Sequence, residues 1–279
     1  MGHRGEGQAD RGDAGVRSPG PLYGVSEQPR ERSDVLRRFE FRVHSQNFAD
    51  GILLYLLSVL GTTDRRFIEF GCGDGRECNT ATLSLNFGFH GLLIDRDPGY
   101  AESARTYYLD RLGRDGGVKV VSRKIDRDNV NDIFHELGME GELDLLSIDI
   151  DGNDYWVWEA IDVVRPRVVV IEFNPSFGID KAITVPYEPD FDRFAKHPSG
   201  FYHGASLPAL AKLGRQKGYM LVHAESGGVD AFFVRRDVGE GRVQEHSPEK
   251  LYVPSDERAW AGPPWVQFEM VRHLGLVEV

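Results

Sequence analysis

Two apolar runs each end in a pair of polar side chains. Leu145-Leu146-Ser147-Ile148 is followed by Asp149 and Asp151, and Val168-Val169-Val170-Ile171 by Glu172 and Asn174. Side chains of an extended chain alternate with a period of two, so each pair leaves its strand on one side. Adjacent strands lie about 4.8 Å apart. Oxygens of Asp149 or Asp151, Glu172 and Asn174 could therefore converge on one hard divalent cation, with water completing its shell. Magnesium is the natural ion, and Asp151, Glu172 and Asn174 are the expected metal ligands. Such an ion would hold two substrate oxygens and lower the pKa of a coordinated hydroxyl. A metal-free alternative keeps the same carboxylates as acceptors for ammonium and hydroxyl groups, with one as general base. Asp151, Asp154 and His203 are the candidate catalytic residues. Asp151-Gly152-Asn153-Asp154 also has the composition of a turn and helix cap, and Tyr155, Trp156 and Trp158 could line a substrate pocket, although aromatics so close on a helix start are more often packing groups.

A second constellation lies upstream. Phe67-Ile68-Glu69-Phe70 runs into Gly71-Cys72-Gly73-Asp74-Gly75, a buried strand entering a turn whose missing side chains let a ligand approach the backbone. A dinucleotide fingerprint would place its third glycine at position 76, which is Arg76, so a nucleotide-dependent oxidoreductase is the weaker reading. Just over twenty residues on, Asp95 ends the run Gly91-Leu92-Leu93-Ile94, where a carboxylate can accept both hydroxyls of a ribose; Asp97 could play the same part. Beyond the third strand, Ile125, Asp126 and Asn129 fall where an adenine could pack and donate its amino group.

Ser45-Gln46-Asn47-Phe48-Ala49-Asp50-Gly51, then Phe67 to Gly75, with Asn79-Thr80 after it, resembles the FkbM-type branch of class I S-adenosylmethionine-dependent methyltransferases, over about Ser45 to Arg235. The resemblance implies a Rossmann-like α/β fold: a mostly parallel seven-stranded sheet with a C-terminal antiparallel hairpin and helices on both faces. It implies S-adenosylmethionine as cofactor, with Glu69, Gly71, Gly73 and Gly75 near its methionine part and Asp95 on its ribose; Asp149 is assigned to the cofactor as well. The implied activity is O-methylation of a hydroxyl on a sugar or glycosylated small molecule, with N-methylation of a small amine as the alternative. The FkbM pattern carries Asp, Glu, Gly after its fourth strand, whereas this chain has Asp149-Ile150-Asp151-Gly152-Asn153-Asp154. The acidic cluster itself resembles that of cation-dependent O-methyltransferases.

The elements that must hold these residues can be read from periodicity. Phe48, Ile52, Leu53, Leu56 and Leu60 recur at helical spacing before Gly61, which predicts a helix leading into the core. Strands are expected at 67–70, 91–94, 119–122, 143–150 and 168–173 with helices between, the pattern of parallel crossover units. Ser206 caps a helix with Pro208 in its first turn, and 219–223 and 230–235 form a hairpin. Three parts result: a loosely docked or disordered arm over 1–32, poor in apolar residues, a catalytic domain over 33–238, and an extension over 239–279 whose Trp260, Trp265 and Phe268 suggest packing. The loop from Asn174 to His203 could serve as a lid or as an ordinary packed connection.

Composition sets the remaining bounds. With 279 residues, 41% of them hydrophobic, the chain fits one α/β domain with additions. A net charge of −11, from 33 basic and 44 acidic residues, argues against nucleic acid as a partner. The longest strongly apolar stretch, Gly51 to Leu60, is too short to span a bilayer, so neither a membrane partner nor a secretory leader is expected, and a cytoplasmic location is the default. Cys72 and Cys78 are expected as reduced thiols. The expected partner is a small-molecule acceptor, carbohydrate-containing by the family likeness, and a homo-oligomer stays open.

Overall fold

In the computed structural model, residues 35–114 and 116–279 are described; the arm expected over 1–32 lies outside them. The chain enters through a short 3-10 turn, Leu36–Phe39, and a loop before helix α1, Ala49–Leu60. The helical spacing read from Phe48 onward is thus realised from Ala49. The preceding residues stay in a loop because the buried Asp50 carboxylate gathers the N–H groups of Val43, His44 and Ser45 at 2.7 to 2.9 Å.

From there strand and helix alternate: β1 (Arg66–Phe70), α2 (Ala81–Phe87), β2 (His90–Asp95), α3 (Pro98–Leu112), β3 (Val118–Ser122), α4 (Val130–Leu137), β4 (Gly141–Ile148), α5 (Asp154–Ala160) and β5 (Val164–Glu172). After a long connection holding β6 (Ile183–Thr184) and α6 (Arg193–Lys196), helix α7 (Leu207–Gln216) leads into β7 (Tyr219–Ala224) and β8 (Asp230–Arg235). Ser206 caps α7 through Ala209 N–H, with proline in the first turn. The C-terminal segment carries α8 (Arg236–Gly239), α9 (Pro248–Leu251), a 3-10 turn over Asp256–Ala261, α10 (Pro264–Val271) and β9 (Val277–Glu278).

Seven strands form one sheet in the order β3-β2-β1-β4-β5-β8-β7. The first five are parallel, and β8 runs antiparallel to both β5 and β7. This is the Rossmann-like architecture expected from the sequence. Alternation along the strands divides the core in two. Ile68, Leu92, Leu146 and Val169 pack with α4, α5 and α7 on one face, and Phe67, Leu93, Leu145 and Val168 pack with α1 and α3 on the other. Strand order reverses between β1 and β4, and at such a point the chain ends diverge and leave a crevice beyond the carboxyl edge.

The C-terminal segment packs on the connection after β5. Phe177, Phe191, Phe201 and Tyr202 share an apolar cluster with Val271, and β9 pairs with β6. Among the described residues no helix is long and apolar enough to cross a membrane.

Candidate active site

The crevice is a cavity of about 1010 Å³ over the carboxyl edge of the sheet. Gly71 and Gly73 bring the backbone to its wall. Gly71 has φ +66°, and a Cβ there would stand 1.7 Å from the carbonyl oxygen of Asp149, so only glycine lets β1 pass β4 this closely. Gly73 has φ +51° and open space where a Cβ would be, a cradle that a ligand can fill. Asp95 ties this turn to β2. Its Oδ2 accepts Gly73 N–H at 2.8 Å and its Oδ1 accepts Asp97 N–H at 2.8 Å. Each oxygen keeps a further lone pair for a diol. Ile125 also lines the cavity. Asp97 is the N-cap of α3, accepting from Gly99 and Tyr100, which accounts for its carboxylate locally.

Several expected site residues are placed elsewhere. Glu69 is buried and accepts Asn79 N–H (2.8 Å), Thr80 N–H (3.0 Å) and the Thr80 hydroxyl; it anchors the entry to α2 and is not on the cavity wall. Gly75 is a packing residue: a Cβ would stand 2.9 Å from Ala104 Cβ on α3. Asp126 folds back on its own loop, accepting from Asp128 and Asn129. Tyr155 and Trp158 belong to the core, and Trp156 donates to Val185 O, consistent with packing.

The acidic end follows the strand register only in part. Ile148 pairs with Ile171, which sets Asp149 opposite Glu172, and both line the cavity. β4 stops at Ile148, however, and Asp151 sits at φ +58°, so it no longer follows the strand alternation. Its carboxylate reaches the cavity from a turn and pairs with Arg193 of α6.

Asp154 is fully buried off the wall. It accepts Ile150 N–H at 2.8 Å and Gly152 N–H at 2.9 Å and so holds the 150–152 turn from the start of α5. Burial pushes its pKa up to about 7, with Glu172 adding to the effect, but a carboxyl without access to the cavity cannot take a proton from an acceptor there. His203 is likewise buried behind the wall, with Nε2 2.9 Å from Arg258 Nη2 and Nδ1 3.4 Å from Glu172 Oε2.

Asn174 is spent on the scaffold. Its amide donates to Phe201 O and His203 O at 2.7 Å each, and its Oδ1 accepts from Ser176 N–H and from the Arg258 guanidinium at 2.7 Å. A cation would meet a guanidinium at that oxygen, so the expected Asp151-Glu172-Asn174 set is not assembled. Asp151, Glu172 and His203 do offer ligand atoms within 4.8 Å of one another. Arg193 already pairs with Asp151, and Arg258 faces both His203 and, at 4.0 Å, Glu172. The positive charge that a divalent ion would bring is supplied by two arginines, and the donor set does not fit the ion unless they leave.

The three carboxyls on this wall differ in their surroundings. Against the upward push of burial, His203 and then Arg258 hold Glu172 below the ordinary carboxylate range. Asp151 is raised by burial and Glu172, opposed by Arg193 and His203. Asp149 makes no ion pair among the described residues; burial, then Glu172 and Asp151, push it well above the usual carboxylate range.

Other wall residues were not assigned to the site from the sequence. Gln46 arrives on the loop that Asp50 organises, with Phe48 N–H held by Glu225 at 3.0 Å. Arg193 and Phe201 come from the connection after β5, and Arg258 and Trp260 from the C-terminal segment. Cys72 and Cys78 are buried free thiols.

No family model matches the sequence, and no curated protein matches it. Among solved structures, the chain is similar to the N-terminal domain of EvdMO1 with S-adenosylhomocysteine (SAH) bound, at 16% identity and TM-score 0.43 over 72% of this chain and 82% of that one. It is also similar to the magnesium protoporphyrin IX methyltransferase ChlM from Synechocystis PCC 6803 with bound SAH, at 13% identity and TM-score 0.42 over 67% and 81%. A protein from Galdieria sulphuraria, provisionally assigned as a sarcosine dimethylglycine methyltransferase, matches at 15% identity and TM-score 0.42 over 62% of this chain, which spans 62% of that protein's length. At these identities the likeness says nothing about activity.

Proposed function

We propose that this protein is an S-adenosylmethionine-dependent methyltransferase acting on a hydroxyl of a small, sugar-like acceptor, without a metal ion. One observation carries the reading: a single cavity joins a glycine turn and diol-accepting Asp95 at one end to the carboxyls Asp149 and Glu172 at the other. The residues suit the cofactor. Gly73 leaves open space at the backbone, Asp95 has lone pairs for a ribose, Ile125 offers an apolar surface for an adenine, and Asp149 offers a carboxylate for an ammonium group.

When bound, S-adenosylmethionine supplies an electrophilic methyl group. Glu172, kept ionised, accepts a hydrogen bond from an acceptor hydroxyl and orients it. Asp151, on the cavity wall and raised by burial and Glu172 against the pull of Arg193, is suited to take the proton that the hydroxyl loses. Arg193 and Arg258 keep the acidic end from repelling electron-rich oxygens. Trp260 and Phe201 give the same end aromatic faces, which together with these polar groups favour a carbohydrate-like molecule.

The test is isothermal titration with SAH, with and without EDTA. Micromolar binding that EDTA leaves unchanged, and that Asp95→Ala weakens at least about ten-fold, roughly 1.4 kcal/mol, is expected. Absence of binding by the wild type would overturn the reading, and loss of binding or turnover with EDTA would overturn its metal-free form.

A further inference from the structure

The 3-10 turn Asp256–Ala261 sends three side chains to the acceptor end of the cavity. Glu257 and Trp260 lie on the wall, Trp260 with its ring centroid 5.6 Å from that of Phe201. Arg258 goes deeper. Its Nη1 donates to Asn174 Oδ1 at 2.7 Å and Ser176 Oγ at 3.0 Å, and its Nη2 lies 2.9 Å from His203 Nε2. The turn is itself held: Gln267 Nε2 donates to Arg258 O at 3.0 Å, and Gln267 Oε1 accepts from Ser176 at 2.6 Å.

A guanidinium has donors and no acceptor, so the His203 Nε2 that faces it must present a lone pair. The proton of the neutral ring then sits on Nδ1. That atom is 3.4 Å from Glu172 Oε2, and both are buried atoms without a hydrogen-bond partner among the described residues, so each supplies what the other lacks. Glu172 Oε1 in turn lies 4.0 Å from Arg258 Nη2. A general base or a metal ligand at Nδ1 would need the opposite tautomer, with an Nε2–H pointed at an arginine N–H.

We infer that Arg258 is a positioning residue of the acceptor site: it holds His203 in the Nδ1–H form, and His203 thereby aims the Glu172 carboxylate into the cavity. The C-terminal segment is on this account part of the site. The inference deepens the methyl-transfer reading and rests on it for the acceptor's identity, while the tautomer stands independently of it.

The test is long-range proton–nitrogen NMR on the full chain labelled with ¹⁵N-histidine, with His203 identified by its loss in His203→Gln. The wild type should show a protonated Nδ1 and an unprotonated Nε2, Arg258→Lys should keep that pattern, and Arg258→Met should give Nε2 N–H character. A wild-type ring protonated at Nε2 alone, or an Arg258→Met spectrum like that of the wild type, overturns the inference. If Arg258→Met does not fold, the wild type and Arg258→Lys decide it. In turnover, Arg258→Met should lower kcat/KM for the acceptor at least ten-fold while SAH affinity stays within two-fold; equal losses in both would make Arg258 structural only. A wild type that fails to bind SAH overturns the methyl-transfer reading and leaves the tautomer to judge Arg258.

Discussion

The two ends of the cavity are built in different ways. At the glycine-turn end, contacts are local and backbone-borne: Asp95 reaches a neighbour two residues away and one 22 residues away, both through N–H groups. At the acidic end, the arginine contacts are between side chains that come from distant segments. Arg193 reaches Asp151 across 42 residues, Arg258 reaches His203 across 55 and Asn174 across 84. Backbone groups cannot be changed by substitution, whereas side chains can. A cofactor-binding end made of the first and an acceptor-binding end made of the second would let specificity change while the cofactor site stays intact.

The largest effect should come from the seam where the two ends touch. Gly71→Ala places a Cβ 1.7 Å from the Asp149 carbonyl oxygen at φ +66°, and should cost about 3 kcal/mol or more. For a domain of this size that is a fall in Tm of roughly 6–12 °C. Gly73→Ala, with open space but φ +51°, should cost only about 1–2 kcal/mol. Thermal melts of the two variants side by side check this, and equal losses would remove steric contact between β1 and β4 as the cause.

Arg193→Met tests whether the ends are separable. The ion pair with Asp151 is partly exposed, so stability should change by no more than about 1 kcal/mol. SAH affinity should stay within two-fold and the acceptor KM should rise about ten-fold, as read by titration and by initial rates with a hydroxyl acceptor found by screening. A matching loss of SAH affinity would show that the cavity works as one unit.

The last effect is a pH dependence. Burial pushes Asp230 up to about 7, and burial with Asp230 pushes Glu225 up to about 9. The folded protein thus favours their protonated forms, while unfolded carboxyls ionise near pH 4. Between those values the unfolded state binds fewer protons, so this contribution to stability is full below about pH 4 and is lost as pH rises through about 7 and then 9. Asp230→Asn should flatten that decline, with Tm rising relative to the wild type at pH 8 compared with pH 5. Melts at the two pH values check it, and parallel curves would place the titration elsewhere.

Much of the scaffold was legible in the sequence. β8 was expected over 230–235 and is found there, and the other six strands of the main sheet lie within a few residues of their expected places. The site was legible only where its parts are local. Gly71, Gly73, Asp95 and Ile125 line the same cavity, each at or just beyond the end of a short strand. Asp151 left the expected alternation because β4 ended early, Asp154 was consumed by a turn whose composition had already allowed for capping, and Asn174 by capping the 3-10 turn Pro175–Phe177, which was not expected from the sequence.

The sequence by itself determined the α/β alternation and the glycine turn, because both are written in stretches of a few residues where periodicity and missing side chains act directly on the backbone. Only the tertiary structure decided which charges face one another. Arg193, Arg258 and Trp260 belong to segments with no motif, and the burial of His203 follows from what packs over it. Which carboxyl keeps its proton depends on which cation arrives beside it, and that is fixed by chain folding across tens of residues.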